Sequence, residues 1–327
     1  MPFNARTDLA LEVTEASYKD ASPAADTDGI SVEEEKHSRG ICVTRVKIHN
    51  KKGEEKLSKP RGTYITIELS DPNSASQEEY EEACRTCAKE LTPLVKEFNP
   101  HSTLILGLGN RNITPDAMGP KAVDSVLVTR HLLEYMPEEI DSRLKSVCAI
   151  SPGVLGITGV ETSEIVKGGC NKVMADLIIA IDALCSRCIN RINNTIQLTD
   201  TGITPGAGVG NRRMSINHTE LGIPVIAIGV PTVVDAATIA GDTIDKIIEN
   251  LKANAKENLP LYKLLSTLAE EDKYTMIKEV LTPDHGDFVV TPKEVDSQVA
   301  KIAEIIANGI NIALHEGITL DDIDRYR

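Results

Sequence analysis

Aspartate residues follow several short apolar segments that have the character of β-strands. Asp182 comes directly after Leu177–Ile181, Asp200 follows another such segment, and Asp116 lies in the loop after Thr103–Leu108. In an open parallel sheet, ligands bind beyond the carboxyl ends of the strands, so these side chains are expected to converge. Two neighbouring carboxyls share one proton, because both cannot ionise easily. The ionised one then takes a proton from water, and the protonated one polarises a carbonyl and protonates the leaving amine.

Asp116 and Asp182 are the strongest candidates for such a pair. Asp182 stands at the end of an apolar strand, where desolvation raises the pKa of a carboxyl. Asp116 precedes a predicted helix start, where the helix dipole favours the charged form and would lower the pKa. One raised and one lowered pKa suit a division into acid and base. Taken singly, each Asp also fits a helix N-cap or an Asx turn, the commoner use of this residue.

Other motifs carry weaker predictions of chemistry. The Gly-rich segments 107–109 and 206–210 match neither a dinucleotide fingerprint nor a P-loop. CxxC pairs begin at Cys84 and at Cys185, and such pairs can bind zinc. Both are predicted inside helices rather than on knuckle turns, and Cys is also a common buried residue. The GxSxG and HExxH motifs of serine and zinc proteases are missing as well. We predict neither a metal nor an organic cofactor.

The elements that position these residues alternate between strands and helices. Such alternation indicates an α/β fold with a mostly parallel sheet flanked by helices. The predicted strands are Thr103–Leu108, Val147–Ser151, Leu177–Ile181, Thr195–Thr199 and Val225–Val230, and the predicted helices are Gln77–Phe98, Pro120–Tyr135, Glu161–Gly168, Val233–Leu251 and Glu294–Ile312.

The N-terminal part precedes this core. Period-two alternation in Ile41–Ile48 and Thr63–Leu69 predicts two strands joined as a hairpin, within residues 36–70. The first 35 residues or so are polar and loop-like, apart from a short helix start after Arg6. Residues 253–288 have a weak helical pattern and are interpreted as an addition to a single catalytic domain.

Composition excludes several classes of protein. The 327 residues are 41% hydrophobic and 26% charged, which is typical of globular proteins and not of disordered ones. A net charge of −14 and 3% aromatics oppose direct nucleic-acid binding. No apolar run is long enough for a membrane span, and the N-terminus lacks the apolar region of a secretory signal. Seven Cys in such a chain are expected to be reduced thiols in the cytoplasm.

A set of motifs in fixed order, from residue 6 to about residue 315, resembles the germination proteases of spore-forming bacteria. The resemblance implies an endopeptidase that starts the degradation of small acid-soluble spore proteins at germination. It also implies an atypical aspartic mechanism with Asp116 and Asp182 as the essential carboxylates. Met118 and Cys185 depart from the usual Leu and Ala. The motifs are Arg6–Glu12, Lys59–Tyr64, Leu106–Asn110, Thr114–Ala117, Val128–His131, Ser151–Val154, Gly159–Thr162, Asp200–Gly202, Gly208–Asn211, Gly229–Asp235 and Thr291–Asp296.

The same resemblance implies a self-processing zymogen. Family members form homotetramers in the forespore and spore core, remove their own N-terminal prosegment, and are similar in fold to hydrogenase maturation proteases. Their substrates carry an acidic residue, a hydrophobic residue, Ala, any residue and Glu, a pattern that Asp8–Glu12 repeats. We therefore predict autocleavage between Asp8 and Leu9, which makes residues 1–8 the prosegment and residues 9–327 the catalytic domain.

An acidic residue before the cleaved bond suggests a basic pocket. Arg130, Arg187 and Arg212 are the candidates, because a guanidinium binds a carboxylate through two hydrogen bonds. Each of them fits an ordinary ion pair equally well.

Two other functions remain open. One is a metallopeptidase of the hydrogenase-maturation type, in which strand-end carboxylates and a His bind a metal, and the other is a non-catalytic binding protein on the same scaffold.

Overall fold

Nine strands form one sheet in the computed structural model, which describes residues 7–18, 29–136, 138–206, 213–254, 270–281 and 288–326. The strand order is β1-β2-β3-β7-β8-β6-β4-β5, and β9 pairs with β8. The strands are β1 (Ile30–Lys36), β2 (Cys42–Ile48), β3 (Gly62–Glu68), β4 (Ser102–Gly107), β5 (Ser146–Ile150), β6 (Leu177–Ser186), β7 (Thr195–Thr199), β8 (Val225–Asp235) and β9 (Val289–Val290).

Helices cover both faces of this sheet. The longest of them, α3, begins at a capping box in which Ser76 and Glu79 exchange side-chain and backbone hydrogen bonds. The helices are α1 (Ala10–Ser17), α2 (Lys51–Leu57), α3 (Gln77–Phe98), α4 (Met118–Val123), α5 (Arg130–Tyr135), α6 (Leu155–Thr158), α7 (Thr162–Val173), α8 (His218–Leu221), α9 (Ala236–Asn254), α10 (Glu270–Leu281), α11 (Val295–Leu314) and α12 (Leu320–Tyr326). No helix in these described ranges has the length and apolar character that crossing a bilayer requires.

The predicted α/β class is confirmed, with a mixed sheet. Strands β5, β4, β6 and β8 are parallel neighbours and form its centre. Strand β7 was expected to be parallel as well, but it runs antiparallel to both β3 and β8. The physical reason is the short connection at residues 187–194, since a parallel crossover needs a dozen or more residues.

The predicted N-terminal hairpin is confirmed, with two additions. Strands β2 and β3 pair antiparallel from Cys42 opposite Glu68 to Ile48 opposite Gly62. The charged segment between them contains α2, which begins where the Asn50 side chain accepts two backbone N–H groups. Strand β1 was not predicted, because its acidic residues hide the alternation; it extends the hairpin at the edge of the sheet.

Several element boundaries differ from the prediction. Strand β6 continues to Ser186, because its pairing with β8 resumes after a register shift between Leu184 and Cys185. Cys185 therefore lies on a strand, and the prediction of a helix for the second CxxC pair is wrong. The first pair does lie inside α3, buried in the core. The helix predicted at 120–135 is two helices, α4 and α5.

The helical addition predicted at 253–288 is described only in part. Helix α10 lies within it, whereas residues 255–269 and 282–287 are outside the described residues.

Candidate active site

The loop after β4 and the interior of β6 place Asp116 and Asp182 next to the same cleft. Asp182 was predicted to follow its strand, but it lies within β6, because the pairing with β8 continues to Ser186. The N–H of Leu108, just after β4, donates to the carbonyl of Ile181 at 2.8 Å. Helix α4 approaches this point closely, and a Cβ on Gly119 would lie 2.5 Å from the same Ile181 carbonyl oxygen. Because only glycine fits there, α4 and the Asp116 turn in front of it pack against the part of β6 that carries Asp182.

Burial determines the ionisation of both carboxyls. Asp182 is 5% exposed, and its Oδ1 accepts the N–H of Ala183 at 2.9 Å. Desolvation raises its pKa well above the usual value, and the charges of Asp116 and Asp8 add to the rise. Asp116 is half-buried, and its Oδ2 accepts the N–H of Asn110 at 2.7 Å.

The expected lowering of the Asp116 pKa is wrong. Desolvation raises the pKa of Asp116, and the hydrogen bond from Asn110 opposes the rise only partly. Asp116 lies in a 3₁₀ turn, Thr114–Asp116, two residues before α4 begins at Met118, and burial outweighs the helix dipole. Asp182 has the stronger and more numerous causes for a raised pKa, so the two carboxyls still differ in the direction a proton-sharing pair requires.

The chain's own N-terminal segment lies in this cleft. Asp8 lines it together with Asp116 and Asp182. The Asp8 N–H donates to the Cys185 carbonyl, and the Asp8 Oδ2 accepts the Cys185 N–H, each at 2.9 Å. One backbone–backbone hydrogen bond and one bond to the Asp8 carboxylate thus attach the segment to the end of β6.

Two side chains hold the carbonyl oxygen of Asp8. Lys59 Nζ donates to it at 2.9 Å, and Gln197 Nε2 donates at 3.4 Å. Gln197 Oε1 also accepts the N–H of Ala10 at 2.7 Å, which fixes the chain on the other side of the fully buried Leu9. Burial lowers the pKa of Lys59, and the nearby Asp8 charge opposes that shift.

The next acidic residue along the segment, Glu12, is buried and accepts several hydrogen bonds. Glu12 is 5% exposed, and its carboxylate accepts the N–H groups of Arg187 at 2.7 Å and Cys188 at 2.9 Å. The guanidinium of Arg191 lies 3.5 Å from the same carboxylate. The hydroxyl of Thr7 also donates to it.

Of the three arginines predicted to bind an acidic side chain, the two that the structure describes do not line the cleft that contains Asp8. The Arg130 side chain pairs with Glu134 at 2.6 Å and the Arg187 side chain with Asp242 at 2.8 Å, and neither is among the residues that line the cleft. Arg187 contributes its backbone N–H instead. Arg212 lies outside the described residues.

Three other residues hold the segment, and sequence reasoning did not single them out. Lys59 belongs to a motif used for the resemblance, and Gln197 is a long polar side chain at the centre of the buried strand β7, which is a signal in itself. No sequence pattern indicated Arg191, because its position depends on the turn between β6 and β7.

A metal centre finds no ligand set among the residues that the structure describes. No group of three or more His, Cys, Asp or Glu side chains there is arranged to hold a metal ion. The metallopeptidase alternative therefore gains no support from this geometry.

Comparison with known proteins identifies the family. A family model described as germination protease matches residues 7–266 and 256–327, and thus most of the chain. The chain belongs to the germination protease family. A germination protease of Clostridium tetani is 49% identical over 324 residues, covering 99% of each chain. That of Bacillus subtilis is 41% identical, covering 98% of this chain and 96% of its own.

The chain also has a weak structural similarity to a solved structure from another family. The [NiFe] hydrogenase maturation protease HycI from Thermococcus kodakarensis superposes with a TM-score of 0.30 at 14% identity. The superposition covers 68% of this chain and 98% of HycI.

Proposed function

We propose that this protein is a self-processing endopeptidase that starts the degradation of small acid-soluble spore proteins at germination. Family membership supports the peptidase class. The observation that carries the mechanism is one cleft lined by Asp116, Asp182 and Asp8, with the Asp8 carbonyl held by two side chains of the same cleft. That arrangement has the parts of a hydrolytic site: two carboxyls, a peptide carbonyl and donors to its oxygen.

Asp116 acts as the base and Asp182 as the acid in this proposal. The Asp116 carboxylate takes a proton from water, and the water oxygen bonds to the carbonyl carbon of Asp8. The charge that develops on the carbonyl oxygen is stabilised by Lys59 and Gln197. Asp182 gives its proton to the leaving nitrogen of Leu9 as the C–N bond breaks. Proton transfer from Asp116 to Asp182 then restores the starting state.

The Asp8–Leu9 bond is the proposed site of self-processing, with residues 1–8 as the prosegment. The two hydrogen bonds between Asp8 and the Cys185 backbone and the two donors on the Asp8 carbonyl support this choice, because they fix the chain on the acidic side of the bond. In the proposal the acid-selective pocket consists of the Cys185 N–H and the charge of Lys59. We further propose, from the family, a homotetramer in the spore interior, with no cofactor.

Turnover of a purified small acid-soluble spore protein tests the function. The processed chain is expected to cut it, and Asp182→Asn is expected not to. Turnover would eliminate the binding-protein alternative, and a correctly folded, processed wild-type chain that leaves such a substrate intact would overturn the proposed function.

A further inference from the structure

We propose that Tyr64 and Thr201 are positioning residues for Lys59, and that their hydroxyl groups hold its turn so that Nζ reaches the carbonyl oxygen of Asp8. Both residues lie in motifs that carry the family resemblance and that the carboxylate pair leaves without a chemical use. This inference rests on the proposed self-processing, because Lys59 acts there on the carbonyl of the bond that is cut.

Lys59 lies on a turn whose backbone is not held by burial. Ser58 before it and Pro60 after it are exposed, and the lysine stem has several rotatable bonds of its own. Its Nζ nevertheless lies 2.9 Å from the Asp8 carbonyl oxygen. A misplacement of about 1 Å in such a donor can lower a rate about 100-fold, so the groups that bind the backbone of this turn decide whether Lys59 acts.

A chain of hydroxyl groups binds this backbone. The Tyr64 hydroxyl donates to the carbonyl oxygen of Pro60 at 2.8 Å, and the Thr201 hydroxyl donates to the Tyr64 oxygen at 3.3 Å. The Thr201 hydroxyl also lies 3.0 Å from that of Thr199, at the end of β7. Hydrogen bonds in such a chain polarise and strengthen one another. All three hydroxyl-bearing residues line the cleft, so the chain connects the cleft wall to the residue that follows Lys59.

Tyr64 is fixed more firmly than the turn that it holds. It lies in β3 opposite Val46 of β2 on one side and Thr199 of β7 on the other, and only 3% of it is exposed. Desolvation raises the pKa of Tyr64 to about 12. The hydroxyl therefore keeps its proton, and can donate it to the Pro60 carbonyl, at every pH at which two carboxyls share a proton.

Asp200 supports the same turn from outside the catalytic centre. Its Oδ1 accepts the N–H of Thr63 at 2.8 Å, which joins the turn to the chain just after β7. Asp116 and Asp182 line the cleft, whereas Asp200 is not among the residues that do so. The third aspartate that follows a strand thus holds the backbone near Lys59 and stands apart from the proton-sharing pair.

A double-mutant cycle with Lys59→Met tests the positioning role. The assay is the first-order rate of self-processing of the full-length chain, followed by intact-mass spectrometry. Tyr64→Phe removes only a hydroxyl and should lower this rate by about fivefold to twentyfold, as expected for one lost hydrogen bond and a slightly displaced donor. In the Lys59→Met chain the same change should lower the rate less than about twofold, because no ammonium remains to be positioned. Equal effects in both chains overturn the proposal.

Two comparisons separate positioning from other roles of a tyrosine. Tyr135→Phe, which removes a hydroxyl from an 81% exposed residue of α5, should process at the wild-type rate. Tyr64→Phe should lower the rate by the same factor throughout the range from pH 4 to pH 6, because its phenol does not titrate there. A pH profile of changed shape would make Tyr64 part of the proton transfer and would overturn its positioning role.

Thr201→Val keeps the proposal testable if Tyr64→Phe fails to fold. It removes the donor to the Tyr64 oxygen and should lower the rate by about threefold to fivefold, again only in chains that retain Lys59. Thr201→Ser keeps the hydroxyl and should process at nearly the wild-type rate. If Thr201→Val has the same effect with and without Lys59, the hydroxyl chain does not act through Lys59.

Acetylation by acetic anhydride tests the positioning without turnover. On the Asp182→Asn chain, peptide mass mapping should find Lys59 less reactive than the exposed Lys51. Adding Tyr64→Phe should raise the reactivity of Lys59 by about threefold or more and leave that of Lys51 unchanged. The proposed function fails in a different way, through a wild-type chain that does not process or an Asp182→Asn chain that does. Labelling then decides alone, and a Lys59 reactivity that ignores the Tyr64 hydroxyl overturns the proposal.

Discussion

Replacing Lys59 by Met removes the closest donor to the carbonyl that is proposed to be cleaved. Lys59 Nζ lies 2.9 Å from the Asp8 carbonyl oxygen, and the remaining donor, Gln197, lies at 3.4 Å. Loss of one donor to a developing oxyanion lowers kcat by about 10²- to 10³-fold, or ~3–4 kcal/mol of transition-state stabilisation. We place Lys59→Met in this range, because the weaker Gln197 contact cannot supply the lost charge.

The assay for Lys59→Met is the time course of self-processing, followed by intact-mass spectrometry. Lys51→Met is the matched control, since it removes an exposed ammonium from the neighbouring helix α2 and should process at the wild-type rate. Lys59→Arg keeps the charge and should recover part of the rate. If Lys59→Met processes within about twofold of the wild type, Lys59 does not stabilise the transition state and the assignment is wrong.

Four further predictions concern ionisation, packing and metal dependence. Burial raises the pKa of Asp182 in the folded chain, so what this carboxyl contributes to stability is complete below the unfolded-state pKa of 3.8 and is lost as pH rises through the folded-state pKa. Asp182→Asn should therefore unfold at a higher temperature than the wild type at pH 7 but not at pH 3. A variant that is less stable than the wild type at pH 7 contradicts this. For the same reason self-processing, measured by gel shift, should slow as pH rises through the pKa of Asp182; a rate independent of pH between 4 and 8 would argue against a shared proton. Gly309→Ala places a Cβ about 2.6 Å from the Cys87 Sγ and should lower the free energy of unfolding by about 1–3 kcal/mol in urea titrations. The control Gly241→Ala adds a Cβ that has no neighbouring atom closer than 3.8 Å, so it should be neutral or stabilising. Incubation with a chelator should leave processing unchanged, and activity lost to the chelator and restored by a metal ion would favour the metallopeptidase.

Local patterns in the sequence predicted most of the fold. The apolar runs of β4, β6 and β8 and the amphipathic spacing of α3 and α11 each depend on one segment alone, and the structure has an element at each of these positions. Strand direction depends on connection length and on pairing partners, so β7 was assigned to the parallel set incorrectly. Strand β1 was missed for a similar reason, since pairing with β2 compensates for a weak alternation.

The site was predictable where a residue's environment follows from its own strand. Asp182 is buried because β6 is apolar on both sides of it, and this much could be inferred from sequence. The pKa of Asp116 could not, because its desolvation arises from a close approach permitted by Gly119 and Gly109. The donors around Asp8 and Glu12 were equally hidden, since most are backbone groups of residues 185–188 and side chains far away in sequence, such as Lys59, Gln197 and Arg191.

The most direct test of the carboxylate pair is the N-terminal mass of the Asp116→Asn and Asp182→Asn chains after mild acid treatment. The wild-type chain is expected to lose residues 1–8 and to begin at Leu9. Each Asn variant should stay full length while retaining wild-type secondary structure by circular dichroism. A new N-terminus at Leu9 in either variant would contradict the paired-carboxyl mechanism.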